Sequence, residues 1–155
     1  MTRRPLVIAC GNPLRGDDGV GAAVVRRLGA RRGATVRICL QYTPELAHEV
    51  AAADRVIFVD ARAATPGEAQ PRRGGVRVRR LDPRRVATGA LSHTVTPESL
   101  LAMARDLYGA APAGFLVTVA GARFDLGRGL SLSVRRLIPQ AVRAVARLLS
   151  PRPRS

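Results

Sequence analysis

The sequence predicts an α/β domain built on a mostly parallel five-stranded sheet with one antiparallel strand. Three observations carry this. Short unbroken apolar runs have the length of strands buried on both faces. Segments of helical period separate the early runs, and strands that alternate with helices are joined by right-handed crossovers and lie parallel. After Asp60 the pattern changes, because turn residues such as Thr65-Pro66-Gly67 and Gly74-Gly75 stand where a helix is due.

The elements follow in order. Leu6 to Cys10 is the first apolar run, and Gly19 to Arg31 is the first helix, with Val20, Ala23, Val24 and Leu28 on one face. Thr35 to Leu40 alternates apolar and polar residues, so it reads as an edge strand with one wet face. A second helix over Pro44 to Ala53 has Thr43 as its expected cap and Pro44 in its first turn. Val56 to Val59 is the second continuous run and ends at Asp60. Residues 61 to 75 read as a helix-free loop, and the alternating Val76 to Arg79 after it is expected to run antiparallel. Thr96 caps a third helix that has Pro97 in its first turn and stops at Tyr108-Gly109. Phe115 to Val119 is the third buried run. The last helix buries Val134, Leu137, Ile138, Ala141, Val142, Val145, Leu148 and Leu149, and Pro139 should kink it or delay its start. Residues 1–150 form one domain in this reading, with a frayed tail from Pro151 to Ser155.

Composition excludes several classes. A globule of 155 residues buries enough surface to stand without disulfides or a structural metal, so Cys10 and Cys39 read as small core residues in a reducing, cytoplasmic compartment. The apolar stretch after Arg3-Arg4 is too short for a signal peptide, and no run reaches membrane-span length. The formal charge of +15 invites an anionic partner, but all 26 basic residues are arginine, spread from Arg3 to Arg154. With few aromatics there is no stacking platform, so no nucleic acid is expected.

Ligands of parallel α/β sheets bind beyond the carboxyl ends of the strands. Three polar elements fall there: Gly11-Asn12-Pro13-Leu14-Arg15-Gly16-Asp17-Asp18-Gly19-Val20-Gly21, then Asp60, then Ser92-His93-Thr94. The glycine-rich stretch lacks dinucleotide spacing, and its two carboxylates would repel phosphate from a helix start. The acids suit a cation or a simple helix cap, Asp60 suits a turn, and a lone histidine is often only a hydrogen-bonding group. Brought together, two carboxylates and one imidazole would make a three-ligand site with an open position. His48, in the second helix, reads as surface.

These motifs, with Val59-Asp60, Ser92-His93 ahead of a Pro-Glu-x-Leu-Leu helix, Thr43-Pro44-Glu45-Leu46-Ala47 and Gly129-Leu130-Ser131, resemble the hydrogenase maturation proteases over about Leu6 to Leu149. The resemblance implies a three-layer α/β/α sandwich of the phosphorylase/hydrolase-like kind around a five-stranded mixed sheet. It implies an aspartic-type endopeptidase that removes a C-terminal extension from a nickel-iron hydrogenase large-subunit precursor once nickel is in place. The family's metal-contacting acid, aspartate and histidine carry over to Asp18, Asp60 and His93; either the metal polarises the scissile carbonyl and its water, or Asp18 or Asp60, the catalytic candidates, activates water as a general base. Nickel would arrive on the precursor, and no organic cofactor or membrane partner is expected. Asp17, the neighbouring acid, is expected at the substrate together with Tyr42 and Thr43. The chain departs from its relatives in two places: some members carry glutamate at the position of Asp18, and several have a Gly-Thr turn where this chain has Gln41-Tyr42-Thr43. Three other readings are weighed against this one: a Cys10–His93 thiol pair, a peptidyl-tRNA hydrolase-like esterase and an arginine-rich nucleic-acid-binding module.

Overall fold

β-Branched and aliphatic residues pack into five strands that order themselves β2-β1-β3-β5-β4 in one sheet. The computed structural model describes residues 3–30, 33–65, 74–86 and 94–150. In chain order the elements are β1 (Leu6–Cys10), a single turn of tight helix (Gly16–Gly19), α1 (Val20–Leu28), β2 (Thr35–Cys39) and α2 (Leu46–Ala52). They continue with β3 (Arg55–Ala63), β4 (Val76–Arg80), α3 (Pro97–Tyr108), β5 (Ala113–Gly121) and α4 (Leu132–Leu149). β1 lies parallel to β2 and β3, β3 lies parallel to β5, and β4 runs antiparallel on β5, as expected from the absence of a helix in the sequence before it.

Period-2 alternation splits the sheet's side chains between two cores. Val7, Ala9, Ile57, Val59, Val117 and Val119 face α1 and α4. Leu6, Ile8, Val56, Phe58 and Leu116 face α2 and α3. Helices therefore cover both faces, which is the three-layer sandwich.

Several boundaries differ from the sequence reading. β3 does not stop at Val59: it runs through Asp60 to Ala63, because β5 supplies a partner at every step as far as Ala63↔Gly121. Its pairing with β1 does end at Val59. α1 closes at Leu28, ahead of Gly29 at φ 66°. α2 starts at Leu46, with Glu45 as cap and no side-chain capping bond. Thr43 serves that start through its backbone carbonyl, which accepts from Leu46 N at 3.1 Å. α3 forms as read, and Thr96 and Ser99 exchange side-chain-to-backbone bonds of 3.1 and 2.8 Å in a capping box. α4 begins at Leu132, capped by Ser131, and carries Pro139 inside it, so the expected delayed start is not seen. Parts of the 61–75 connection, the 151–155 tail, Ser92 and His93 lie outside the described residues. No helix among the described residues is long and apolar enough to cross a membrane.

Candidate active site

The strand order reverses between β1 and β3: from β1 the chain moves outward to β2, then returns to the other side of β1 to make β3. A crevice opens at the carboxyl ends of strands at such a point. Alternation decides which side chains reach it. Leu6 and Ile8 face the α2/α3 layer, so Cys10, the next in that series, ends β1 on the same side. Val56 and Phe58 do the same for Asp60 in β3. Because Ala9 is level with Val59, Cys10 and Asp60 are the first positions past the end of the β1–β3 pairing.

A cleft of about 670 Å³ lies over this row, lined by Cys10, Asp18, Tyr42, Thr43, Asp60 and Thr94 among others. Asp18 reaches it from the stretch after β1, where its Oδ2 accepts a 2.7 Å hydrogen bond from Asn12 N. That stretch can fold back only because Gly11 precedes it. Gly11 sits at φ 142°, and a Cβ there would lie 1.9 Å from the Asp18 carbonyl oxygen. Gly11→Ala is expected to lower stability by about 2–3 kcal/mol and to displace Asp18, measured by urea unfolding; an unchanged midpoint would contradict this account.

Asp60 is held at both oxygens. Ala61 N donates to Oδ1 at 2.8 Å, and the Tyr42 hydroxyl donates to Oδ2 at 3.2 Å. Burial raises the Asp60 carboxyl most, the two hydrogen bonds act against it, the neighbouring Asp18 carboxylate adds to it, and the net result is about 6. The Tyr42 ring meets Phe58 edge-on at 5.7 Å. Burial, followed by the Asp60 charge, keeps the Tyr42 phenol protonated well above its ordinary value, which fixes it as the donor.

Asp17 is elsewhere, and its expected place at the substrate is corrected. It is fully buried and does not line the cleft. Its carboxylate accepts from Ala122 N (2.8 Å), Arg123 N (3.0 Å), Ser131 N (2.6 Å) and Ser131 Oγ (2.8 Å). Burial alone would raise its pKa, but the donors from Ser131, Arg123 and Ala122 together outweigh that and hold it below the usual carboxylate value. Asp17 thus ties the stretch after β1 to the one after β5 and to the start of α4. Nor does either acid cap α1, whose Gly19 cap has no side-chain bond.

Tyr42 and Thr43 line the cleft. His93 lies outside the described residues, while its chain neighbour Thr94 forms part of the cleft wall. Among the described residues no three His, Cys, Asp or Glu side chains converge as a metal would require. Two carboxylates with free lone pairs fit a divalent cation that brings other ligands with it. His48 is exposed and stacks edge-on against Tyr108 at 5.5 Å, away from the cleft lining. The sequence reading missed the pairing of Cys39 with Cys10 and the link between Tyr42 and Asp60; the latter joins residues 18 positions apart across α2, with no periodic signal to mark it.

No family model and no curated protein sequence matches the chain. Solved structures do. The chain is similar to the hydrogenase maturating endopeptidase HybD from E. coli, at 24% identity over 94% of this chain and 91% of that one, with a TM-score of 0.70. The fold is that of the hydrogenase maturation endopeptidases. The [NiFe] hydrogenase maturation protease HycI from Thermococcus kodakarensis superposes with a TM-score of 0.69 at 21% identity, over 94% and 92% of the two chains. The hydrogenase 2 maturation peptidase from a Thaumarchaeota archaeon gives 0.67 at 23% identity, over 96% and 99%. On this maturation-endopeptidase fold, Asp18 and Asp60 occupy the crevice where the strand order switches.

Proposed function

We propose that the chain is a hydrogenase maturation endopeptidase, which removes the C-terminal extension of a nickel-iron hydrogenase large-subunit precursor after nickel has been inserted. The observation that carries this reading is the convergence of Asp18 and Asp60 in one cleft at the switch point of the sheet. The fold shared with proteins of that name supports it.

In this reading nickel is cargo of the substrate, and Asp18, Asp60 and His93 complete its coordination from the protease side. Recognition then depends on insertion, because an empty precursor gives the three residues nothing to share. Oxygen and imidazole donors suit nickel, and a three-ligand site leaves positions for the precursor's own groups. The scissile bond is thereby placed against the acid pair, and such positioning is itself a large part of a rate enhancement. Asp60 is the better base of the two. Before nickel arrives its carboxyl, raised to about 6, is ionised at neutral pH yet more basic than an ordinary aspartate, and an oxygen left off the metal can take a proton from an attacking water. Tyr42 and Thr43 lie along the wall where the extension would run. Tyr42→Ala is expected to slow cleavage by about 10-fold to 100-fold, by removing both the cleft wall and the donor to Asp60. An unchanged rate would remove Tyr42 from the substrate path.

The deciding experiment is intact mass of the nickel-loaded precursor after incubation with the chain or with its Asp18→Ala, Asp60→Ala and His93→Ala variants. Release of one defined C-terminal peptide by the unaltered chain alone supports the reading. A precursor of confirmed nickel content that stays uncut, from every hydrogenase of the same organism, overturns it.

A further inference from the structure

Cys10 and Cys39 are directly opposite one another, the last residues of neighbouring parallel strands. Register partners on adjacent strands project to the same face, and neighbouring strands lie about 4.8 Å apart. That separation falls in the roughly 4.4–6.8 Å range of Cα atoms joined by a disulfide. An interaction between the two thiols pushes the Cys10 thiol up and pulls the Cys39 thiol down. The Cys39 thiol in turn points to the Ala9 carbonyl oxygen at 3.6 Å. No strand has to slide for the sulfurs to join. A pair kept only for packing would be sealed in apolar surroundings, but Cys10 lines the cleft and Cys39 is only half-buried.

We propose that Cys10, in the cleft lining, and Cys39 beside it form a redox-active dithiol, which closes to a disulfide when a small-molecule disulfide such as oxidised glutathione reaches the half-buried Cys39. Cys39 is the attacking group: it is the more exposed of the two, and the hydrogen bond from Cys10 favours its thiolate. It gives its proton to water and attacks one glutathione sulfur; the glutathione S–S bond breaks and one glutathione thiolate leaves. Cys10 then loses its proton and attacks the Cys39 sulfur of the mixed disulfide, expelling the second glutathione. The two protein thiols are oxidised and one glutathione disulfide is reduced to two glutathiones. The new bond clamps the ends of β1 and β2 immediately before Gly11 and Leu40, the stretches that bring Asp18 and Tyr42 to the cleft. Resting on the protease reading, the closed form is the inactive one.

The test is native incubation of the full chain with oxidised glutathione, read by intact mass and peptide mapping. The expected product has lost two hydrogens, yields a Cys10–Cys39 linked peptide and reverts with dithiothreitol. A Cys10→Ser variant should stop at one glutathione adduct on Cys39. Unmodified thiols, two independent glutathione adducts or a dimer linked through Cys39 would each overturn the dithiol. In the precursor assay, oxidation should slow cleavage by about tenfold or more, with recovery on reduction. An oxidised chain that cuts at the reduced rate overturns the control. A reduced chain that cuts nothing counts against the protease reading, and the mass result still decides the dithiol.

Discussion

Asp60→Asn is expected to lower precursor cleavage by about 10³-fold while making the folded chain more stable at pH 8. Asparagine nearly matches the size of aspartate, its carbonyl can still accept from Ala61 N, and its amide can donate to the Tyr42 oxygen. Only the charge is removed. That charge is unfavourable in the fold, because burial raises the Asp60 carboxyl from 3.8 to about 6. Between these values the folded chain binds a proton that the unfolded chain does not, so stability rises as the pH falls from about 6 toward 4, and above 6 the buried anion is a standing cost. The variant lacks this slope and should gain about 1–2 kcal/mol at pH 8, allowing for partial solvation. Urea unfolding at pH 4 and pH 8 measures the gain, and the precursor assay measures the loss. A variant less stable than its parent at pH 8, or one that still cuts at a comparable rate, would remove Asp60 from the role assigned to it.

Asp17→Ala should produce the opposite pair of effects, a large loss of stability from a residue that does not line the cleft. Four donors lose their acceptor at once, and Ser131 N and Oγ are left buried without it. Hydrogen bonds to a charged group are worth about 1.5–3 kcal/mol each and are not additive, so the expected loss is roughly 3–4 kcal/mol in urea unfolding at pH 7. Ser131→Ala, which removes one donor and the α4 cap, should cost about 1 kcal/mol. The pH dependence also separates the two aspartates. Asp17 titrates below its ordinary value, so its contribution is present above pH 3.8 and is lost as the pH falls through the lowered pKa. A loss under about 1 kcal/mol for Asp17→Ala would show that the four bonds are replaceable by water.

Much of the fold was legible because it is written in periods. The apolar continuity of Leu6 to Cys10 and Val56 to Val59 marks central strands, and Thr96-Pro97 marks a helix start from local chemistry alone. The extension of β3 to Ala63 was not legible, because it depends on β5, a partner more than 50 residues away. The position of Asp60 was visible as the polar end of a buried run, whereas its raised pKa depends on burial by the folded chain and on Asp18 arriving from another element, against the opposing hydrogen bond from Tyr42. Asp17 and Asp18 are adjacent acids with the same propensities, and nothing local distinguishes them. Folding sends one to a buried hub against residues 122, 123 and 131 and the other to the cleft. Cys10 and Cys39 each read as core residues on their own, and only the parallel register of β1 and β2 makes them a pair.

The ends of the sheet are β2 and β4, each five residues long, and both carry arginine: Arg37 in β2, and Arg77, Arg79 and Arg80 in β4. Short margins studded with positive charge are poor templates for another strand, since two copies approaching edge to edge would set like charges opposite one another. In a chain with a formal charge of +15, the antiparallel β4 therefore guards against ribbon-like self-association. Neutralising that margin with apolar residues would leave the cleft of Asp18 and Asp60 intact while inviting fibrils.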